Sequence, residues 1–185
     1  MIPVPALWAP ILLSAVAVFI VSSILHMTLP WHRDEYRQLP DEEGLLGAMR
    51  EAGVSPGRYF FPFAQGREMG SPEQVAKQAR GPVGFATVLP PGAPLTARHL
   101  AWWFLYCLLV GASVAYLAGQ TLSPGVSRLA VLRVVGTAAF LAYGIAEIPG
   151  SIWQGRPWGV TLKHVLDGFL YATVTAGAFG WLWPG

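Results

Sequence analysis

Charged residues and cysteine are both scarce in this chain of 185 residues. Only 12% of the positions are charged, which is about half the content of a typical soluble domain. The single cysteine, Cys107, excludes an intrachain disulfide and therefore a disulfide-stapled secreted module. The formal net charge of +2 and the scattered basic residues exclude nucleic acid as the main partner. With 54% hydrophobic positions, the chain is also too apolar for a disordered tail.

Four apolar stretches account for most of this hydrophobicity. Each is about 20 residues long, the length at which a helix crosses the hydrocarbon of a bilayer. They run over residues 6–27, 100–119, 129–149 and 161–183. The first has no basic segment before it and no small-x-small cleavage site after it, so we expect a retained helix. The sequence predicts an all-α integral membrane protein, a single membrane domain over residues 1–185 built on a four-helix transmembrane bundle.

The polar segment 28–98 is predicted to fold as a small cap containing two short helices. Residues 40–53 begin with proline and acids, carry Arg50 near the end and stop at Gly53. Residues 71–74, Ser-Pro-Glu-Gln, form a capping-box pattern with proline at the first helical position, and this helix is expected to end at Gly81. The aromatic run 59–63 between them suits the headgroup zone or the underside of the bundle.

The distribution of basic residues predicts the orientation of the chain. Four spans place both termini on one side of the membrane and the segment 28–98 on the other. Five basic residues near span ends lie on the loop side, and two lie on the terminal side: Arg33, Arg37, Arg98, Arg156 and Lys163 against Arg128 and Arg133. Because positive loops stay inside, the loop is expected to be cytoplasmic, with both termini outside. The absence of asparagine and the excess of arginine over lysine are typical of genes rich in G and C, and favour a bacterial inner membrane.

A row of small residues in the fourth span predicts how the helices pack. Gly168, Ala172, Ala176 and Gly180 follow one another at four-residue spacing. Such rows let membrane helices approach closely, so we interpret this one as a packing seam. The same seam could serve a homo-oligomer or a larger membrane complex. Membrane lipid is the other expected partner.

Polar residues at the span ends form the candidate site. A charge near the centre of a membrane span costs at least about 2.5 kcal/mol on insertion scales, so such residues are usually paired or functional. The predicted topology places five of them on the loop side at similar depth: His26, His99, Glu147, His164 and Asp167. His164 and Asp167 are three residues apart, which puts them on one helix face. His32, Asp34 and Glu35 follow shortly after His26.

Imidazole and carboxylate side chains are ordinary ligands for zinc, iron or manganese. The candidate metal ligands are therefore His26, His99, His164 and Asp167. Haem held by two histidines is the weaker cofactor hypothesis, because carboxylates beside the porphyrin would add buried charge.

A purely structural interpretation stands beside the metal site. It pairs Lys163 with Asp167 within one helix and Glu147 with Arg156 or Lys163, and lets the histidines reach the headgroups.

Two functional hypotheses follow from this pattern. The favoured one is a small membrane binding or accessory protein whose His/carboxylate cluster holds a metal ion, a lipid or a small lipophilic ligand. The alternative is a membrane-embedded enzyme in which Glu147, His164 and Asp167 carry out acid–base or metal-assisted chemistry on a lipophilic substrate. The sequence contains no phosphate-binding loop, GxSxG elbow or dinucleotide fingerprint, so it leaves enzyme activity open.

Overall fold

The computed structural model describes residues 1–92 and 96–185, and the chain is mostly helical. In chain order the elements are α1 (Trp8–Ser23), α2 (Glu42–Glu51), β1 (Gly57–Phe61), α3 (Pro72–Arg80), β2 (Gly84–Val88), α4 (Ala97–Thr121), α5 (Arg128–Tyr143), α6 (Ile148–Gln154) and α7 (Trp158–Leu182). They fall into two compact units. The helical unit comprises Met1–Tyr36 with Leu95–Gly185, and the smaller unit comprises Arg37–Pro94.

Three helical segments are long and apolar enough to cross a membrane. They are Val4–Thr28, Ala97–Thr121 and Arg128–Gln154, which contain α1, α4 and α5 with α6. This composition is compatible with the predicted membrane protein. The helix α7 has 25 residues but is not among the three.

The long helices of the helical unit contact one another in a closed order. α7 packs against α1 and α5, and α4 packs against the same two helices. Large apolar side chains remain exposed on their outer faces, among them Leu12, Ile20, Leu105, Leu109, Leu141 and Phe169. An apolar exterior of this kind suits contact with lipid.

The small-residue row of α7 faces α5. A Cβ atom on Gly168 would lie 2.6 Å from the carbonyl carbon of Tyr143. Further along, a Cβ on Gly136 would lie 3.5 Å from that of Ala176, and a Cβ on Gly180 would lie 3.3 Å from Leu132. This face of α7 is therefore occupied within the chain.

The third predicted span is interrupted where α7 comes closest. α5 ends at Tyr143, and a 3₁₀ turn, Ile145–Glu147, separates it from α6. Pro149 lies in the first turn of α6, where proline is tolerated, and Gly144 offers no side chain at the approach of α7. The α-helix is thus interrupted at the point where α7 approaches its backbone.

The smaller unit contains the two expected helices. The Asp41 side chain accepts from the Gly44 amide at the start of α2, and the Ser71 hydroxyl accepts from the Gln74 amide at the start of α3. The Gln74 side chain does not complete the capping box, because its amide donates to the Pro62 carbonyl at 2.8 Å.

The prediction of an all-α chain needs one correction in this unit. Residues 57–61 pair with residues 84–88 as an antiparallel two-stranded sheet in which Phe60 lies opposite Phe85. Each strand has only five residues, and its partner is distant in sequence. Such pairing is decided by tertiary contacts, because a hydrophobic pattern of this length does not distinguish a strand from a loop.

Gly168→Ala should lower the free energy of unfolding by about 1–3 kcal/mol, because the added methyl group overlaps the α5 backbone. Gly177→Ala is the matched control on the same helix, since a Cβ there meets nothing within 4 Å. Thermal unfolding in detergent would measure both. Equal midpoints for the two variants would show that the α5–α7 approach is not a tight constraint.

Candidate metal centre

A widened helical turn places the first histidine of the site. After α1 the chain makes one π-type turn, Ile24–Thr28, in which the Leu29 amide donates to the Ile24 carbonyl at 3.1 Å. Such turns insert one residue into a helix and are frequent at functional sites. His26 lies in the middle of this turn. Leu29 is then extended, as expected for a residue before proline.

A short segment, Leu29–Tyr36, which we call the strap, brings in the next two side chains. Pro30 begins a 3₁₀ turn that ends at His32. This reversal stacks the His32 ring on the His26 ring, with centroids 4.0 Å apart and an interplanar angle of 17°. The His32 Nδ1 atom is hydrogen-bonded to the carboxylate of Glu35, three residues later.

Helix α7 contributes two side chains on one face. The Asp167 Oδ2 atom lies 2.9 Å from His32 Nε2 and 4.0 Å from His26 Nε2. The His164 Nε2 atom lies 3.4 Å from Glu35 Oε2. These contacts unite five side chains from three elements, which we call the cluster: His26, His32, Glu35, His164 and Asp167.

The cluster contains two sets of donors with the spacing of metal ligands. One set is His26, His32 and Asp167, and the other is His32, Glu35 and His164. Within each set the donor atoms lie within 4.8 Å of one another. Two ligands of a metal with bonds of about 2.0–2.2 Å can be no more than about 4 Å apart, so the shorter separations already match coordination.

Two buried polar atoms of the cluster have no hydrogen-bond partner among the described residues. The Asp167 side chain is only 3% exposed, and His32 and Glu35 are each 8% exposed. His32 Nε2 and Asp167 Oδ2 are close, but they are not aligned for a hydrogen bond, and neither atom has a hydrogen-bond partner among the described residues. A nitrogen and an oxygen that are close without forming a hydrogen bond can both bind a third atom, such as a metal ion.

The charge balance of the cluster also favours a cation. Glu35 and Asp167 are both carboxylates, and within residues 1–92 and 96–185 neither forms an ion pair with lysine or arginine. Buried carboxylates are costly unless they are paired or coordinate a metal. The imidazoles next to them can act either as partners or as ligands.

Lys163 contacts the strap and does not pair with Asp167. Its ammonium group pairs with the Asp34 carboxylate and donates to the Trp31 carbonyl oxygen at 2.8 Å. The intrahelical Lys163–Asp167 pair of the structural interpretation is therefore not formed. The hydrogen bond from Lys163 lowers the pKa of Asp34 below its ordinary value. Asp34 thus stays ionised, and the tether persists, until the pH falls through that lowered pKa.

The other two predicted residues are in neither donor set. Glu147 pairs with Arg156, which is one of the pairings that the structural interpretation offers. His99 is in the first turn of α4, where its Nδ1 atom lies 2.8 Å from the Thr96 hydroxyl oxygen. The structure thus brings together three of the five predicted residues, His26, His164 and Asp167.

Two cluster residues, His32 and Glu35, are not in the predicted ligand set. They appear in the sequence only as polar neighbours of His26. Two features of the sequence could have indicated them. They are three residues apart, and they follow Pro30, a residue type that ends a helix and starts a new turn. These features indicate a shared face, but the stacking on His26 depends on the fold of the strap.

A polar cavity of about 720 Å³ opens beside the cluster. Its lining includes four of the cluster residues, together with Tyr36 and Arg156. Water and small ions can therefore approach the Glu35 and His164 side.

The chain matches no family model, no curated protein and no solved structure.

Lys163→Gln should increase hydrogen–deuterium exchange of the strap several-fold, because the ion pair to Asp34 is lost. Lys77→Gln, on α3 of the smaller unit, is the control and should leave strap exchange unchanged. Mass spectrometry of peptides covering residues 29–36 would measure both. Unchanged exchange in Lys163→Gln would show that other contacts hold the strap.

Proposed function

We propose that the chain is an integral membrane protein that binds one divalent transition-metal ion in the cluster. The observation that carries this proposal is the buried, misaligned approach of His32 Nε2 to Asp167 Oδ2, with no hydrogen-bond partner for either atom among the described residues. A metal ion would satisfy both atoms and compensate the buried carboxylate charge.

The proposed ligands are His26, His32 through Nε2, and Asp167. Glu35 then has a different role, because it holds the opposite nitrogen, Nδ1, of the His32 ring. A carboxylate in that place fixes the tautomer and orientation of a ligating imidazole. His164 contacts the other oxygen of Glu35 and extends this arrangement towards the polar cavity.

The donor chemistry favours zinc, iron(II) or manganese. All the candidate donors are nitrogen or oxygen, which suit these ions, whereas soft ions such as copper(I) prefer sulfur. The bound ion would act as a Lewis acid and organise anionic groups around it. Haem is less favoured, because the His26 and His32 rings are stacked with centroids 4.0 Å apart, which leaves no space for a porphyrin between them.

The proposed membrane topology has four spans. α7 would form the fourth beside the three apolar segments, because its second half is apolar and it packs against two of them. The segment 37–94 would then be cytoplasmic and both termini outside, by the distribution of arginine and lysine. A bacterial inner membrane is the proposed location.

A binding or accessory role is favoured over the alternative enzyme. In that enzyme Glu147 would share the site with His164 and Asp167, but its carboxylate pairs with Arg156. Only two members of the proposed catalytic set lie in the cluster.

His32→Ala should abolish metal binding, because His32 belongs to both donor sets. His99→Ala is the matched control, since it removes a histidine outside the cluster. Elemental analysis of detergent-purified protein, prepared without chelator or affinity tag for metal, would compare both with the wild type. A wild-type protein that stays free of metal after incubation with zinc, iron(II) or manganese would contradict the proposal.

Glu35→Gln tests the orienting role separately. Loss of a carboxylate that positions a ligating histidine costs about 10–100-fold in metal affinity, so binding should weaken but persist. Competition with a chromophoric chelator would measure the affinity, and the thermal midpoint of the metal-free variant would show that the fold is intact. Affinity equal to that of the wild type would exclude Glu35 from the site.

A further inference from the structure

A second, apolar opening lies next to the cluster. It is a groove of about 690 Å³ between the strap, the end of the first helix and α7, within the roughly 300–1,000 Å³ of small-molecule sites. Pro30, Trp31 and four leucines supply its apolar lining, the leucines being Leu25, Leu29, Leu166 and Leu170. Leu29, Leu166 and Leu170 are also exposed at the surface, so a molecule dissolved in the membrane can reach the groove.

The cluster lies between this groove and the polar cavity. Asp167 is the cluster residue that lines the groove, whereas His26, His32, Glu35 and His164 line the cavity. A ligand in the groove would therefore approach the proposed metal from the Asp167 side. Water would approach from the opposite side.

Two cations and two carboxylates line the groove: Arg33, Lys163, Asp34 and Asp167. Lys163 pairs with Asp34, whereas Arg33 has no ion-pair partner in the described part of the chain. A divalent metal bound to Asp167 would more than compensate the charge of that carboxylate. The metal-loaded groove would then carry a net positive charge beside an apolar surface, which favours an anionic head group.

We propose that the groove binds a fatty acid, with its alkyl tail along the leucines and its carboxylate near Arg33 and the metal. This inference rests on the proposed function for the metal and the membrane location, and it names the ligand class of that site. Carboxylate oxygens are good ligands for the proposed ions and form charge-assisted hydrogen bonds with arginine. A neutral lipophilic head group would leave Arg33 unused.

The test uses the full chain in nanodiscs of phosphatidylcholine and a fatty acid with a photoreactive diazirine in its tail. After irradiation, peptide mass spectrometry locates the labelled residues. Labelling should concentrate in segments 25–34 and 163–170. Leu170→Trp should reduce it several-fold by filling the groove, whereas Leu162→Trp, on the same helix but outside the groove, should not.

The head group is tested with Arg33→Gln and a matched fatty alcohol. The substitution should lower labelling by the acid several-fold and leave labelling by the alcohol unchanged. Equal labelling of the exposed Leu105 and Leu109 of α4 would identify bulk lipid contact and overturn the proposal. Equal labelling by acid and alcohol in the wild type would overturn the anionic head group.

Metal content measured in the same samples separates the two proposals. Metal-loaded protein with diffuse labelling would overturn the groove and leave the metal centre intact. Localised, Arg33-dependent labelling of protein that cannot be loaded with metal would overturn the metal centre and retain the fatty-acid site.

Discussion

The buried carboxylate of Asp167 is the constraint around which this end of the molecule is arranged. It lies on a long helix with almost no exposure, in surroundings where an uncompensated charge is costly. The nearest lysine in sequence, Lys163, does not neutralise it, because its ammonium group holds Asp34. The strap instead folds back and presents the His32 imidazole, stacked on His26. This arrangement places imidazole nitrogens around a carboxylate, and both kinds of group are ordinary ligands of a divalent metal ion.

Helix packing and site geometry are coupled by adjacent residues. Gly168 follows Asp167 directly, and its close approach to the Tyr143–Gly144 backbone fixes the position of α7 against α5. The small-residue seam therefore holds α7 against α5 and also sets where the Asp167 carboxylate lies. A substitution in the seam would therefore disturb the metal-binding atoms of the cluster as well as the helix packing. The Tyr171 hydroxyl, one turn further along α7, is buried and has no hydrogen-bond partner within the described residues.

The position of the cluster explains why a metal there could serve a lipophilic ligand. A polar cavity meets it on one side and an apolar groove on the other, and each has the size of a small-molecule site. The Lys163–Asp34 tether connects α7 to the strap that separates these two spaces. Ligand binding in the groove and metal binding in the cluster would thus both involve the strap.

The amino-acid sequence by itself determined the features that depend on local pattern. Apolar stretches of membrane length, the N-caps of α2 and α3, and the shared face of His164 and Asp167 follow from composition and helical spacing. Only the tertiary structure decided which distant residues meet: it placed His32 and Glu35 in the cluster, left His99 at the start of α4, and paired Glu147 with Arg156. The physical reason is that hydropathy locates each helix in the membrane and therefore indicates how deep a residue lies in the bilayer. The rotation of each helix and the reversal of the strap depend on long-range packing, which no local pattern encodes.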